Sequence, residues 1–337
     1  MLIIGCDFHP SFQQIAIFDN RTGEWREKRL GHREEAEGFY RSLAGAVRVG
    51  MEACGQYPWF EKLLGELGFE LWLGDAAAIR AKMVRQQKTD RRDAEHILQL
   101  MLEERFPKIW VPSLAERDVR QLLVHRHKRV QARTRSKNQL QALALGQGLR
   151  KQRKLWTAAG RAEMEKLEML PYAAERRRQL LQDVERLDAE IAGLDQRVVE
   201  EVRKRPGAVK LQTHPGVGPV TALAIVLTLG PAERFASAKQ VGSYFGLIPR
   251  EHSSGEGRQK LGRISKQGSS FLRFLLVEAG QSAARGDAEL GQFYRRLAVR
   301  KNRGLAKVAV ARKLAVRLYW MLREDWNYAQ LCRALCG

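Results

Sequence analysis

Residues 1–18, MLIIGCDFHPSFQQIAIF, decide the reading of the N-terminal region. Two apolar runs, MLIIGCD at 1–7 and QIAIF at 14–18, flank Pro10 and Ser11, which is the pattern of two strands joined by a hairpin. Thr22-Gly23 turns the chain again into EWREKRL, a third strand. Downstream the period changes. REEAEGFYRSLA at 33–44 has helical spacing, VRVGME at 47–52 is a short strand, 57–67 is helical, FELWL at 69–73 is a strand, and 76–84 opens another helical region. Three strands, helix, strand, helix, strand, helix predicts an α/β domain in which a hairpin sheet gains strands through crossover helices.

This order gives the acids a geometry. Asp7 and Glu52 close the first and fourth strands, and if those strands lie parallel and adjacent, both carboxylates sit at the edge where open α/β sheets place their sites. KTDRRDAEHI at 88–97 then starts a helix whose apolar face continues through Ile97, Leu98, Met101 and Leu102. Asp90 and Asp93, one turn apart, share a face of its first turn. A bland account exists for each acid: Asp suits strand ends, and acids in a first helical turn favour the dipole, with Lys88, Arg91 and Arg92 to solvate them. Four carboxylates converging on one edge are costly, however, unless divalent cations neutralise them. Hard oxygen donors suit magnesium, or manganese, and a pair of such ions serves in-line attack at a phosphodiester. Asp7, Glu52, Asp90 and Asp93 are therefore the candidate metal ligands and catalytic carboxylates.

The charge balance points to the partner. Lys and Arg number 59 against 38 Asp and Glu, a net charge of +21 with a pI near 10.2, which fits a polyanion such as DNA or RNA. No apolar run approaches the roughly 18 residues of a spanning helix, and the N-terminus lacks the basic start and long apolar run of a signal peptide, so no membrane and a cytoplasmic location are expected. Cys6, Cys54, Cys332 and Cys336 lack zinc-knuckle spacing and read as reduced packing residues.

From about 113 to 205 the chain is helical and basic, less regular at 147–160. Leu180, Leu181, Val184, Leu187, Ile191, Leu194 and Val198 recur at spacings of three and four, a coiled-coil seam that predicts a long antiparallel helical pair. Arg126, Lys128, Arg129, Arg133, Arg135 and Lys137 form a basic face, either a solvated surface or a set of phosphate contacts; the high net charge favours phosphate. His125 and His127, two apart, splay on a helix and do not suggest a metal pair. Pro206 closes this region. LQTHPGVGPVTALAIVLTL at 211–229 then places a Pro-Gly-Val-Gly-Pro turn between two apolar arms, the form of a helix-hairpin-helix, in which backbone N–H groups near Gly216 and Gly218 could hold a phosphate.

PREHSSGEGRQKLGRISKQG at 249–268 is rich in Gly, Ser, Lys and Arg and reads as a flexible surface loop. Ser254, followed by Gly255, is a candidate nucleophile there, with Arg258, Lys260, Arg263 and Lys266 to stabilise phosphoryl charge. Amphipathic helices at 270–284 and 305–322 complete a small helical domain. The expected division is 1–112, an α/β domain; 113–205, helical and coiled coil; and 206–337, mostly helical.

Taken together, GCDFH around Asp7, GMEACGQY around Glu52, KTDRRDA with Asp90 and Asp93, HPGVGPVTA, and YFGLIPREHSSGEGRQKLGRISKQGSSFLR resemble the DEDD transposases of the insertion sequence 110 family, kin of the Piv and MooV invertases. The likeness covers nearly the whole chain. It implies a RuvC-like (RNase H-like) N-terminal domain and a C-terminal transposase domain with a coiled coil between them. It also implies Asp7, Glu52, Asp90 and Asp93 as magnesium ligands, and Ser254, or Ser253 directly before it, as the nucleophile that forms a phosphoserine link with a DNA strand. A structured bridge RNA as guide, double-stranded DNA of element and target, and dimers assembling into tetramers in which one subunit's serine domain completes another's acidic site follow from the same resemblance. Two rivals use the same residues differently. A Holliday-junction resolvase would hydrolyse DNA at the four acids with water, and a basic architectural protein would use none of them chemically.

Overall fold

The computed structural model describes residues 1–55, 57–83, 89–150, 154–251 and 261–336. The hairpin reading of the N-terminus is correct. Strands β1 (Leu2–Phe8), β2 (Phe12–Asp19) and β3 (Trp25–Gly31) form an antiparallel meander, and β4 (Val47–Glu52) and β5 (Glu70–Gly74) extend it in parallel to give the order β3-β2-β1-β4-β5. Between and after the strands run α1 (Glu34–Ser42), α2 (Pro58–Glu66), α3 (Ala76–Ala81) and α4 (Asp90–Leu102), so the element order is the one the periodicity predicts.

Alternation along β1 and β4 divides the side chains between two faces. Ile4, Cys6, Val49 and Met51 point to one, where Tyr40 of α1 and Phe60, Leu63 and Leu64 of α2 cover them. Tyr40 is wholly buried, and its hydroxyl donates to the buried Oε1 of Gln13 at 3.0 Å, which removes the cost of an unpaired polar group. On the other face Ile3 packs with Ala94, Ile97, Leu98 and Met101 of α4. The strands are bare where this helix crosses them. A Cβ at Gly5 would run into the carbonyl oxygen of Ala94 and the backbone of Leu98, and one at Gly50 into the Met101 thioether. These two glycines therefore set how closely α4 lies on the sheet.

The chain divides into two compact units, Met1–Val111 and Pro112–Gly337; the expected boundary at 205 falls inside the second. There α5 (Leu114–Gly146), α6 (Ala158–Lys166) and α7 (Pro171–Arg203) come first. Arg126, Arg129 and Arg133 pair with Asp195, Glu190 and Asp188 in that order, so α5 and α7 run antiparallel. Leu180, Val184, Leu187, Ile191, Leu194 and Val198 are buried along α7, and Leu181 is half-buried. The rest comprises α8 (Pro206–Leu211), α9 (Pro219–Leu229), α10 (Ala238–Tyr244), β6 (Pro249–Glu251), β7 (Leu261–Ile264), α11 (Ser270–Gly286), α12 (Ala288–Arg300), α13 (Arg303–Arg323) and α14 (Tyr328–Cys336). Its core lies chiefly among α9, α11 and α13.

Three details depart from the sequence reading. The stretch at 249–268 is not a plain loop, since β6 and β7 pair antiparallel at its ends. Residues 288–300 form a helix, started by Asp287, whose carboxylate accepts from the backbone N–H of Leu290 at 2.7 Å. Pro206 begins α8 as its first residue, so the first arm of the Pro-Gly-Val-Gly-Pro turn lies upstream of where the apolar run suggests it.

Candidate active site

β1 and β4 are in register with Cys6 opposite Met51, so the next residues, Asp7 and Glu52, stand side by side at the carboxyl end of neighbouring parallel strands. Cys6 and Met51 belong to the core under α1 and α2; alternation sends Asp7 and Glu52 to the opposite face, the one α4 covers. Gly5-Cys6-Asp7 and Gly50-Met51-Glu52 thus repeat one device. The glycine admits the helix and the acid two residues on reaches the site beside it. Thr89 caps α4, its hydroxyl accepting from the backbone N–H of Arg92 at 3.4 Å, and this fixes Asp90 and Asp93 in the first turn at the same edge.

Asp7, His9 and Asp90 present ligand atoms all within 4.8 Å of one another. Nε2 of His9 donates to Oδ2 of Asp7 at 3.0 Å and lies 3.5 Å from Oδ1 of Asp90, while its ring stacks on Phe12 with centroids 4.5 Å apart. Glu52 and Asp93, both half-buried, stand outside that trio. Burial raises the Asp7 carboxyl above its ordinary pKa; His9 opposes that rise, and the charges of Asp93 and Asp90 add to it. A carboxylate whose charge is disfavoured by burial and by two like neighbours is a site short of positive charge. The oxygen donors of Asp7, Glu52, Asp90 and Asp93 match a hard divalent cation, so the residues fit the metal that the sequence suggests. His9 is the member the sequence reading missed, although it lies only two residues beyond Asp7.

The basic residues divide into several groups. Arg126, Arg129 and Arg133 face the carboxylates of Asp195, Glu190 and Asp188 across the helical pair at 2.8, 3.3 and 2.6 Å. Their charge is engaged inside the molecule. Lys128 is exposed, and Nζ of Lys137 lies 5.1 Å from the ring centroid of Trp156. His127 packs against Phe271 and Phe274 and its pKa is lowered by burial, in keeping with a packing role. Gly216 adopts φ +82° with its backbone tight against Ala279 and Ala283 of α11, so the turn needs glycine for packing, while Gly218 caps α9 and faces open space. Arg263 and Lys266 are exposed on and just after β7; Ser253, Ser254, Arg258 and Lys260 lie outside the described residues.

Among the described residues no helix is long and apolar enough to cross a membrane. A DEDD transposase model of IS110 type matches residues 4–147, from within β1 through α5, and the transposase IS116/IS110/IS902 family model matches residues 208–295. The chain is 31% identical to a probable family 20 transposase of Pseudomonas aeruginosa over 96% of its own length and 98% of that protein. It is 26% identical to the transposase for insertion sequence element IS1111A of Coxiella burnetii, over 97% and 91% of the two chains, and 26% identical to a pilin gene-inverting protein of Moraxella lacunata over 61% and 72%. These similarities make the chain one of the DNA transposases, an enzyme class that cuts and joins DNA strands. Within that class the chain belongs to the IS110 family of insertion-sequence transposases.

Proposed function

We propose that this protein is a site-specific recombinase that moves an insertion sequence by joining element and target DNA, with the N-terminal unit a RuvC-like (RNase H-like) catalytic domain. The observation that carries the reading is the meeting of Asp7, His9 and Asp90 at the sheet edge, with Glu52 and Asp93 on the same face. Magnesium, or manganese, bound there would polarise a phosphodiester and stabilise the charge that develops on its oxygens. Asp7, Glu52, Asp90 and Asp93 would hold it, and His9 keeps the Asp7 carboxylate oriented through its 3.0 Å hydrogen bond. Ser254, or Ser253 beside it, attacks phosphorus through its hydroxyl oxygen. The hydroxyl proton leaves to a base, the strand's 3′ oxygen departs, and a phosphoserine link remains until a second strand end displaces the serine.

The resemblance that supports the serine also supports a bridge RNA as guide, dimers pairing into tetramers, and a cytoplasmic location. The +21 charge agrees with a protein that holds RNA and DNA duplexes together. Gly218, Arg258, Lys260, Arg263 and Lys266 remain the proposed phosphate contacts of the C-terminal half, and Lys128 and Lys137 those of the helical pair; Arg126, Arg129 and Arg133 would first have to release their carboxylates. The test is a denaturing gel for a covalent protein–DNA adduct, using purified protein with its co-purifying RNA, magnesium and element-end DNA. An adduct present in the parent and in Ser253→Ala but absent in Ser254→Ala supports the reading. Cleavage without any adduct would make the protein a metal-dependent resolvase or endonuclease that uses water.

A further inference from the structure

A cavity of about 990 Å³ opens between the β6–β7 hairpin and helices α12, α13 and α14. Its walls are mainly apolar, with Leu305, Val308 and Trp320 of α13 prominent, and Arg263, Lys301 and Arg312 also line it. Apart from Glu289, which is paired with Lys313 and Arg317, the charged residues lining it are cationic. No acidic residue occurs between Glu289 and Glu324, while Arg295, Arg296, Arg300, Lys301, Arg303 and Arg312 are all exposed. Two neighbours on α13 differ. Lys313 is paired with Glu289 at 2.8 Å, and Arg317 is buried against Asp287 at 2.6 Å. The exposed six are therefore distinct from the cations that hold the helices together. Both family matches stop at residue 295 or earlier, so α13, the main wall of this cavity, lies beyond them.

We propose that this cavity and the cations of the α12–α13 corner form a binding site for a DNA strand bearing an unpaired nucleotide, with the base in the cavity and the flanking phosphates on Lys301, Arg303 and Arg312. The inference rests on the reading that the protein acts on DNA. Three observations select this occupant. The cations are complementary to a phosphodiester chain. An apolar slot with an indole in its wall suits the face of an unstacked base, which a paired duplex cannot offer. The volume lies within the range of about 300–1,000 Å³ usual for small-ligand pockets and admits a whole nucleotide.

The experiment measures binding of the full chain in EDTA, where no cleavage occurs, to three fluorescent probes of equal length: duplex DNA with one unpaired nucleotide, fully paired duplex DNA, and RNA with one unpaired nucleotide. The unpaired DNA should bind at least about tenfold more tightly than the paired duplex, as base stacking on an aromatic wall allows. Lys301→Gln/Arg303→Gln/Arg312→Gln should weaken it and lower the slope of log affinity against log salt by about 2. Arg178→Gln/Arg197→Gln/Arg203→Gln, an equal loss of exposed charge on α7, should leave it nearly unchanged. Ala309→Phe, which fills the cavity, and Leu305→Phe at its half-exposed mouth should erase the preference for the unpaired nucleotide and leave the salt slope alone. Equal losses from the two charge triplets, a preference that survives both cavity variants, or tighter binding of the RNA would each overturn the proposal. Because no strand is cut, failure of the recombinase reading appears separately, as a missing adduct with localised binding intact.

Discussion

The sheet edge of the first unit and the helical pair of the second both contain several charges in a small space, and they treat them in opposite ways. Along α5 and α7 each arginine of the ladder meets a carboxylate across the seam, Arg126 with Asp195 and Arg133 with Asp188, and the charge is neutralised locally. At the sheet edge Asp7 and Asp90 share the single imidazole of His9, and Asp7 is pushed towards its protonated form by burial and by the charges of Asp93 and Asp90. Interleaved opposite charges stabilise a helical pair modestly and ask for nothing further. Like charges held together by a rigid scaffold cost stability, and such a cost is retained where a ligand offsets it. The contrast separates charge used for structure from charge kept for chemistry.

The largest effect that would sharpen the contrast is on catalysis. Asp7→Asn should lower strand cleavage by at least about 1,000-fold, the loss expected when a charge-stabilising metal position is dismantled, with nucleic-acid binding nearly intact. Loss of binding alongside activity would mean the variant disturbs more than the site. In EDTA the same variant should melt at a higher temperature than the parent at neutral pH. The folded Asp7 carboxyl takes up its proton at a higher pH than the unfolded one, so the parent loses stability as pH rises through the interval between those two values and does not regain it above. Asp7→Asn removes that dependence, and melting curves between about pH 4 and pH 7 should show it.

The second prediction concerns paired charge that is deeply buried. Asp287→Ala leaves Arg317, 7% exposed, with Glu289 as its one carboxylate partner among the described residues and removes the acceptor of the Tyr328 hydroxyl, so unfolding in denaturant should show a loss of about 3 kcal/mol. Next comes the scaffold of the acidic site. Gly5→Ala places a Cβ against the backbone of α4 at Ala94 and Leu98, with an expected loss of about 1–3 kcal/mol and a drop in cleavage as Asp90 moves away from Asp7. The smallest effect belongs to the helical pair. Asp188→Ala should cost less than about 1 kcal/mol, since Arg133 can return to solvent. A loss as large as that of Asp287→Ala would erase the distinction between the exposed ladder and the buried pair.

The sheet was legible because its signals are local: alternating apolar runs, a Thr-Gly turn and helical spacing between strands are each contained within about ten residues. The acidic edge was legible for the same reason, since strand-end acids and a capped DxxD helix are short patterns. What escaped depends on contacts across space. Gly5 and Gly50 look like poor strand residues until α4 is laid over them. His9 looks like a turn residue until the chain brings Asp90 beside it. The partners of Arg126 and Arg133 lie 69 and 55 residues away on another helix, so the basic face of α5 reads as free charge in the sequence. The pairing of β6 with β7 is hidden by glycine and basic residues, which carry little strand preference of their own.

The most direct test of the central claim is Mn2+ binding to the full chain, followed by the loss of the free ion's paramagnetic resonance signal. Binding should be saturable, abolished by Asp7→Asn and weakened by each of Glu52→Gln, Asp90→Asn and Asp93→Asn, whereas Asp188→Asn on the helical pair should leave it unchanged. Binding that survives Asp7→Asn, or that falls equally with Asp188→Asn, would contradict the claim that the sheet edge is a single built cation site.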